Sequence, residues 1–455
     1  SYIFIFFILT SCGKETPHNW SYCWESNGNN INSCTTTQQI GSSYFDLGKD
    51  ISIYSTDNIY LVGHTEGGLD GNTNLGSSDL FLVKYNSLGW KQWSTLLGST
   101  QNDYALGTDV DNSGNIYITG FSQGDFDGNA NTGNDDLFLS KYNSSGTKQW
   151  TRTLGTVQDD KATDVAIYSS SIAYVTGHTK GDITGDNAGN NDIFLLRYNS
   201  SGSLIWRIQI GSTYDDLSQG IDTDSSGNVY LTGYTEGDLT GDSSGDADFF
   251  IAKYNSSGTI QWLNQLDSTS DSFAQGLVID SSNNIYVTGH TEGSFDGNTN
   301  SGGSDIFLIK YNTSGAKQWS LQTGSSGNEY GKGISVDSSG NIYITGHTSS
   351  ELDGNSNLGG KDSFVMKFDS SGAKQWTVQM GTSYNDYANA MGVNSDGDLF
   401  VTGGTDGGLD GNVNSGGTDI FLFKLNSSGT KLWLIFTYKA TWVNHFNLGN
   451  LSLDF

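Results

Sequence analysis

One proline, three cysteines and 21 lysines and arginines in 455 residues set the first limits on this chain. With so few basic residues and a formal charge of −28, nucleic acid is excluded as a partner, because phosphate binding needs clustered lysine and arginine. The acidity suits cations or cationic partners, or is simply a soluble acidic surface. No amphipathic helical stretch of useful length occurs, and the apolar run Tyr2 to Leu9 is too short to span a membrane. What the chain does have is 61 glycines and a 12% aromatic share. Its Tyr, Phe, Trp, Ile and Val fall in short regular runs that read as strands, so it can build a core and is not disordered.

Seven tryptophans, Trp93, Trp150, Trp206, Trp262, Trp319, Trp376 and Trp433, are separated by 57, 56, 56, 57, 57 and 57 residues. A fixed period marks a repeat architecture in which each unit stacks on its neighbours. Each period holds four strand-like runs, in the second unit YALGTDVD from Tyr104, NIYITG from Asn115, DLFLSKYN from Asp136 and KQWTRTLG from Lys148. DNSGN (Asp111 to Asn115) and NSSGT (Asn143 to Thr147) are hairpin turns with glycine where positive φ is needed. Four antiparallel strands in each of seven units predict an all-β, seven-bladed β-propeller with blades of about 57 residues over 38–433.

Tyr60, Tyr117, Tyr174, Tyr230, Tyr286, Tyr343 and Phe400, with Phe81, Phe138, Phe194, Phe250, Phe307, Phe364 and Phe421, are then expected between blades. Gly107, Gly220, Gly276, Gly333 and Ala390 suit the innermost strand, where blades crowd the axis. Asp50 and Asp164 interrupt that row. A basic row, Lys84, Lys141, Arg197, Lys253, Lys310, Lys367 and Lys424, reads as partners for nearby carboxylates rather than as a binding patch.

The segments GNIYITGHT, LDGNSNLGGKD and FVMKFDSSGAKQW resemble the bacterial SBBP family, the seven-bladed β-propeller repeat, from about Ile40 to Trp433. VDSSGNIYITG resembles NHL repeats more weakly, since those units are shorter and lack the long Asp/Asn loop. The SBBP resemblance implies an exported or surface-exposed bacterial propeller and no established catalytic activity. The ending LTSC resembles the lipobox of bacterial lipoproteins, making 1–12 a signal peptide, Cys12 the acylated residue and 13–37 a leader. A hydrophobic amino-terminal strand with an incidental cysteine is the plainer reading. The initiator Met and basic start are missing, so a truncated beginning is expected. Cys23 and Cys34 are left as a disulfide or as free thiols. CTTTQQIGSS reads as the tail of a fourth strand that closes the last blade, and 434–455 as a non-repeat tail, a truncation or a frameshift.

Five units carry a loop D-G-N-x-N-x-G-x-x-D between their second and third strands. Its oxygen-bearing residues are Asp70, Asn72, Asn74 and Asp79; Asp127, Asn129, Asn131 and Asp136; Asp296, Asn298, Asn300 and Asp305; Asp353, Asn355, Asn357 and Asp362; and Asp410, Asn412, Asn414 and Asp419. Oxygens at positions 1, 3 and 5 suit Ca²⁺, bound weakly with two carboxylates per loop. An ion-free framework of Asx turns is the competing reading. On the same propeller face, Asp46, Asp103, Asp160, Asp216, Glu329 and Asp386 occupy one aligned position, expected as an acidic rim at the channel mouth or as caps on strand starts. His64, His178, His290 and His347 share a position that holds Phe121, Tyr234 and Gly404 in sister units, which argues for packing. No nucleophile with its base, phosphate loop or zinc spacing appears. The expectation is a monomeric, non-enzymatic binding scaffold for a protein, glycan or envelope component, held at the cell envelope by its lipid alone as an outer-membrane lipoprotein. A hydrolase or lyase using the acidic channel mouth, and a structural surface or adhesion element, are the alternatives.

Overall fold

The computed structural model describes residues 37–432 apart from 57, 170–171, 186, 241–245 and 267–269. Cys12, Cys23, Cys34, Trp433 and the tail 434–455 lie outside the described residues. Seven four-stranded antiparallel sheets are present. The first blade runs Asp46–Tyr54, Asn58–Thr65, Asp79–Tyr85 and Lys91–Leu97, innermost strand first, and five more follow in the same order. The seventh has Asp386–Val393, Leu399–Thr405 and Asp419–Leu425, and takes its outer strand, Gln38–Ile40, from the opposite end of the chain. Gln38 pairs with Leu422 and Ile40 with Ile420, as CTTTQQIGSS suggested.

Second and third strands are buried on both faces because a blade lies on either side. They therefore read as continuous apolar runs rather than alternating ones. Outer strands such as Lys91–Leu97 begin exposed and are only half-buried after that. All fourteen repeated aromatics are buried, none more than 2% exposed. Their clusters straddle blades: Tyr117 and Leu139 pack with Val165 and Phe194 of the next blade, and Phe400 and Leu422 with Ile51 and Phe81 across the closure.

The tryptophan period has a direct cause in the latch between blades. The indole N–H of Trp150 donates to Ser200 O (3.2 Å), that of Trp206 to Ser256 O (3.3 Å) and that of Trp376 to Ser427 O (3.3 Å), each on the next blade's hairpin turn. In that turn Gly202 sits at φ +75° against the Trp150 ring, where an added Cβ would lie 3.0 Å from the indole. A side chain there would push the turn off the ring.

The basic row meets carboxylates in three blades, Lys141 with Asp111, Lys253 with Asp224 and Lys424 with Asp398. More generally each cation lies over its blade's strand-two ring, from 4.8 Å for Lys141 over Tyr117 to 5.9 Å for Arg197 over Tyr174. Lys84 also donates to Ser144 O of the next blade (3.2 Å), and Lys424 to Ser87 O of the first (3.3 Å), so the closing interface repeats the others.

Gln39 carries the same duty as Gln209, Gln265, Gln322 and Gln379 in the other outer strands. It donates to Asp419 Oδ2 (2.9 Å) and Gly407 O (3.1 Å) and accepts from Leu409 N (3.1 Å). Gln39→Ala is expected to cost about 1 to 2 kcal/mol in urea denaturation, because it strands buried partners. Gln38→Ala, whose amide makes no such bonds among the described residues, should be nearly neutral.

Candidate functional site

In the D-G-N loop, Asp70 and Gly71 both take positive φ (+56° and +81°) and Asn72 N donates to Leu69 O (3.0 Å), which is a type I′ turn. Asp127, Asp296, Asp353 and Asp410 adopt the same left-handed conformation, which aspartate tolerates better than most residues. The residue before each is buried, as with Leu69 and Phe126, and anchors the loop.

At the corner, the carboxylates of Asp70, Asp127, Asp296, Asp353 and Asp410 pair with Lys91, Lys148, Lys317, Lys374 and Lys431 of the same blade's outer segment. Asn72, Asn129, Asn298, Asn355 and Asn412 return their amides to the carbonyl three residues earlier. Asn74, Asn131, Asn300, Asn357 and Asn414 accept from the N–H two residues on. These are Asx turns, and they hold the loop. The closing acids, Asp79, Asp136, Asp305, Asp362 and Asp419, are buried at the base, away from the corner acid. The side chains grouped by spacing are thus split between an ion pair, turns and a buried base. Among the described residues, no three Asp, Glu, His or Cys side chains converge on a cation position.

The expected acidic rim differs from the observed arrangement. Asp46, Asp103, Asp160, Asp216, Glu329 and Asp386 are all fully buried. Each accepts the N–H four residues earlier, as from Ser42 to Asp46 (2.5 Å) and Ser325 to Glu329 (2.5 Å), and Thr348 Oγ1 donates to Glu329 (2.7 Å). They fasten the start of the innermost strand, so they do not line a solvent-facing mouth. Burial raises the Asp46, Asp103, Asp160, Asp216 and Asp386 carboxyls above the usual range.

The channel itself carries acids from a different position. Every innermost strand has a bulge at its fourth residue, and the bulged side chains, among them Lys49, Thr163, Gln219, Gln275, Lys332 and Asn389, line an axial cavity of about 320 Å³. Just beyond them, Asp50 accepts Thr108 N of the next blade (2.7 Å), Asp109 accepts Ile167 N (2.7 Å), Asp164 accepts Ile221 N (3.1 Å) and Asp222 accepts Ile279 N (2.8 Å). This explains the interrupted glycine row. Blades one and three place the clamping acid at the glycine position, whereas blades two and four keep glycine and place the acid two residues later. Burial pushes Asp109 up to about 6 and Asp222 up to about 7, and raises Asp50 and Asp164 as well.

The four histidines pack as neutral rings. His64 meets Tyr104 of the next blade edge-on at 4.7 Å and His290 meets Tyr330 likewise at 4.7 Å. Burial lowers His64, His290 and His347 to about 3 and His178 to about 4.

The loop-bearing face also holds a feature the repeat pattern concealed. Among the described residues, seven apolar side chains on this face are more than half exposed; Tyr44, Leu75, Leu358, Tyr384 and Val413 sit on the adjacent blades six, seven and one, and Val157 and Tyr214 lie apart, in the connections between blades two and three and between blades three and four. They occupy positions that vary between units, as with Gln101, Gln158, Ser270 and Gly327 where Tyr44, Tyr214 and Tyr384 stand. Alignment of the repeats favours what recurs, so only a search for departures among exposed loop positions would have found them.

The buried acids and histidines titrate in opposite senses. A carboxyl raised in the fold contributes stability below about pH 4 that is lost as the pH climbs through its folded value, whereas a lowered histidine disfavours the fold below about pH 6.5. Relative to the parent protein, Asp222→Asn is therefore expected to gain stability between about pH 4 and pH 7. His347→Phe should gain it as the pH falls; urea midpoints across pH read both.

Four segments, 92–127, 205–240, 261–296 and 318–353, match the SBBP family, described as a beta-propeller repeat. Each starts in an outer strand and ends in the D-G-N loop or its counterpart in the next blade, so the matched unit bridges two blades. The regulatory protein FlaEY of Caulobacter vibrioides is 27% identical over 387 residues, 74% of this chain and 40% of that protein. An uncharacterized WD repeat-containing protein of Acanthamoeba polyphaga mimivirus is 24% identical over 226 residues, 41% of this chain and 16% of that one. The chain spans less than half the length of either relative. Among solved structures, a puromycin hydrolase mutant complexed with PGG superposes with a TM-score of 0.51 at 10% identity, over 86% of this chain and 54% of that one, a likeness of fold alone. The chain is thus a seven-bladed β-propeller, and four segments of it match the SBBP beta-propeller repeat.

Proposed function

We propose that this propeller is a non-enzymatic binding scaffold at the bacterial cell envelope, tethered through an acylated Cys12, which takes a protein partner on its loop-bearing face. The observation that carries the reading is that five of the seven exposed apolar side chains described on this face, Tyr44, Leu75, Leu358, Tyr384 and Val413, fall on three neighbouring blades. Loops held by Asx turns and ion pairs present these side chains on a rigid base, so little ordering cost accompanies association. Tyrosine with aliphatic neighbours is the composition of an interface centre, and the chain's formal charge of −28 favours a basic partner.

The test compares capture from envelope extract by the parent protein and by the Tyr44→Ser/Tyr384→Ser double variant, with unchanged melting as the control for folding. Loss of the parent-specific partner in the variant supports the reading; identical capture overturns the assignment of this face. Metabolic labelling with palmitate should mark the parent chain in its bacterial host and fail on Cys12→Ser.

A further inference from the structure

We propose that six of the seven blade interfaces are binding sites for a hard divalent cation of the calcium class, held between the Asp that opens the third strand of one blade and the acid that opens the innermost strand of the next. The first partners are Asp79, Asp136, Asp192, Asp305, Asp362 and Asp419. The second are Asp103, Asp160, Asp216, Glu329, Asp386 and Asp46, in the same order. This assignment joins the last acid of each loop to an acid of the neighbouring blade, and it stands apart from the partner-binding reading.

Three observations meet at each interface. Both acids are buried, none more than 2% exposed, and no lysine or arginine among the described residues forms an ion pair with any of them. The third-strand acid has its Oδ2 engaged, as Asp305 does by Ser301 N (2.8 Å) and Gln322 Nε2 (3.0 Å), while its Oδ1 has no hydrogen-bond partner among the described residues in any of the six. Two carboxylates taken out of water together are costly unless a counter-charge joins them.

A glycine packs directly against the pair, so no side chain comes between the two acids. A Cβ on Gly324 would stand 2.1 Å from Asp305 Oδ1 and 2.7 Å from Glu329 Oε2. One on Gly381 would stand 2.2 Å from Asp362 Oδ1 and 3.1 Å from Asp386 Oδ2. Gly41, Gly98, Gly155 and Gly211 approach their third-strand acids just as closely. The backbone fixes the two acids side by side, with Glu329 N donating to Ser304 O (2.7 Å) and Asp386 N to Lys361 O (2.7 Å). The remaining interface is a natural control: Ser272 stands where the others have an acid, and its N–H keeps the same backbone bond, to Ala247 O (2.7 Å). A hydroxyl therefore suffices to start that strand, and the second carboxylate elsewhere serves something more. With two carboxylates per site, carbonyl oxygens and water complete the shell, and affinity falls in the weak range of extracellular modules.

The experiment uses the full chain stripped with chelator and dialysed against calcium at about 5 mM, with bound metal counted by emission spectroscopy and melting followed in parallel. Near six ions per chain and a melting temperature that rises with calcium are expected. Glu329→Gln should lose one ion, Gly324→Ala should lose the same one, and Asp296→Asn at a loop corner should lose none. No uptake at this concentration overturns the proposal. So does uptake that falls with Asp296→Asn and not with Glu329→Gln. Stabilisation by Glu329→Gln in a chain that takes up no calcium would mean that a shared proton joins the pair, and overturns it as well.

Discussion

A single blade of this protein cannot bury itself. Its middle strands are apolar on both faces, so each sheet needs a neighbour on either side, and the only arrangement that supplies one to every sheet is a closed ring. The conserved-looking features of the repeat serve that one contact: aromatics between sheets, indoles capped by the next blade's turn, cations laid over rings and reaching across. The seventh interface keeps the buried aromatics and the reaching cation of the first six, although its outer strand comes from the other end of the chain.

Most of the architecture was legible because it repeats. The tryptophan spacing gave the number of blades, the aromatic rows gave the core, and the substitution of histidine by Phe121 and Tyr234 at one position correctly marked those rings as packing. What repetition could not reveal was partnership across blades. Asp79 belongs by spacing to its own loop and Asp103 to a rim, yet they lie together because adjacent sheets bring the third strand of one beside the first of the next. The clamp acids were hidden for a related reason: two alternate positions, as at Asp50 and Asp109, do one job, so neither column looks uniform.

The D-G-N loop shows how one spacing can satisfy two chemistries. A cation shell and a set of Asx turns both want short oxygen-bearing side chains two residues apart. Geometry separates them, because the corner acids turn outward to lysine while the closing acids turn inward beneath the loop. The loop is thereby a stiff platform, and the residues that vary on it, such as Leu75 and Val413, are displayed rather than used for support.

The borrowed outer strand shapes how the molecule is made. Gln39 is among the first described residues to be synthesised and its partner Phe421 among the last, so the closing pair forms only when almost the whole ring exists. Until then the growing stack has two bare ends, each a sheet face wanting a cover. Closing the ring therefore joins strands far apart along the chain, the kind of contact that forms slowly because its loop-closure entropy is spent before the pairing rewards it.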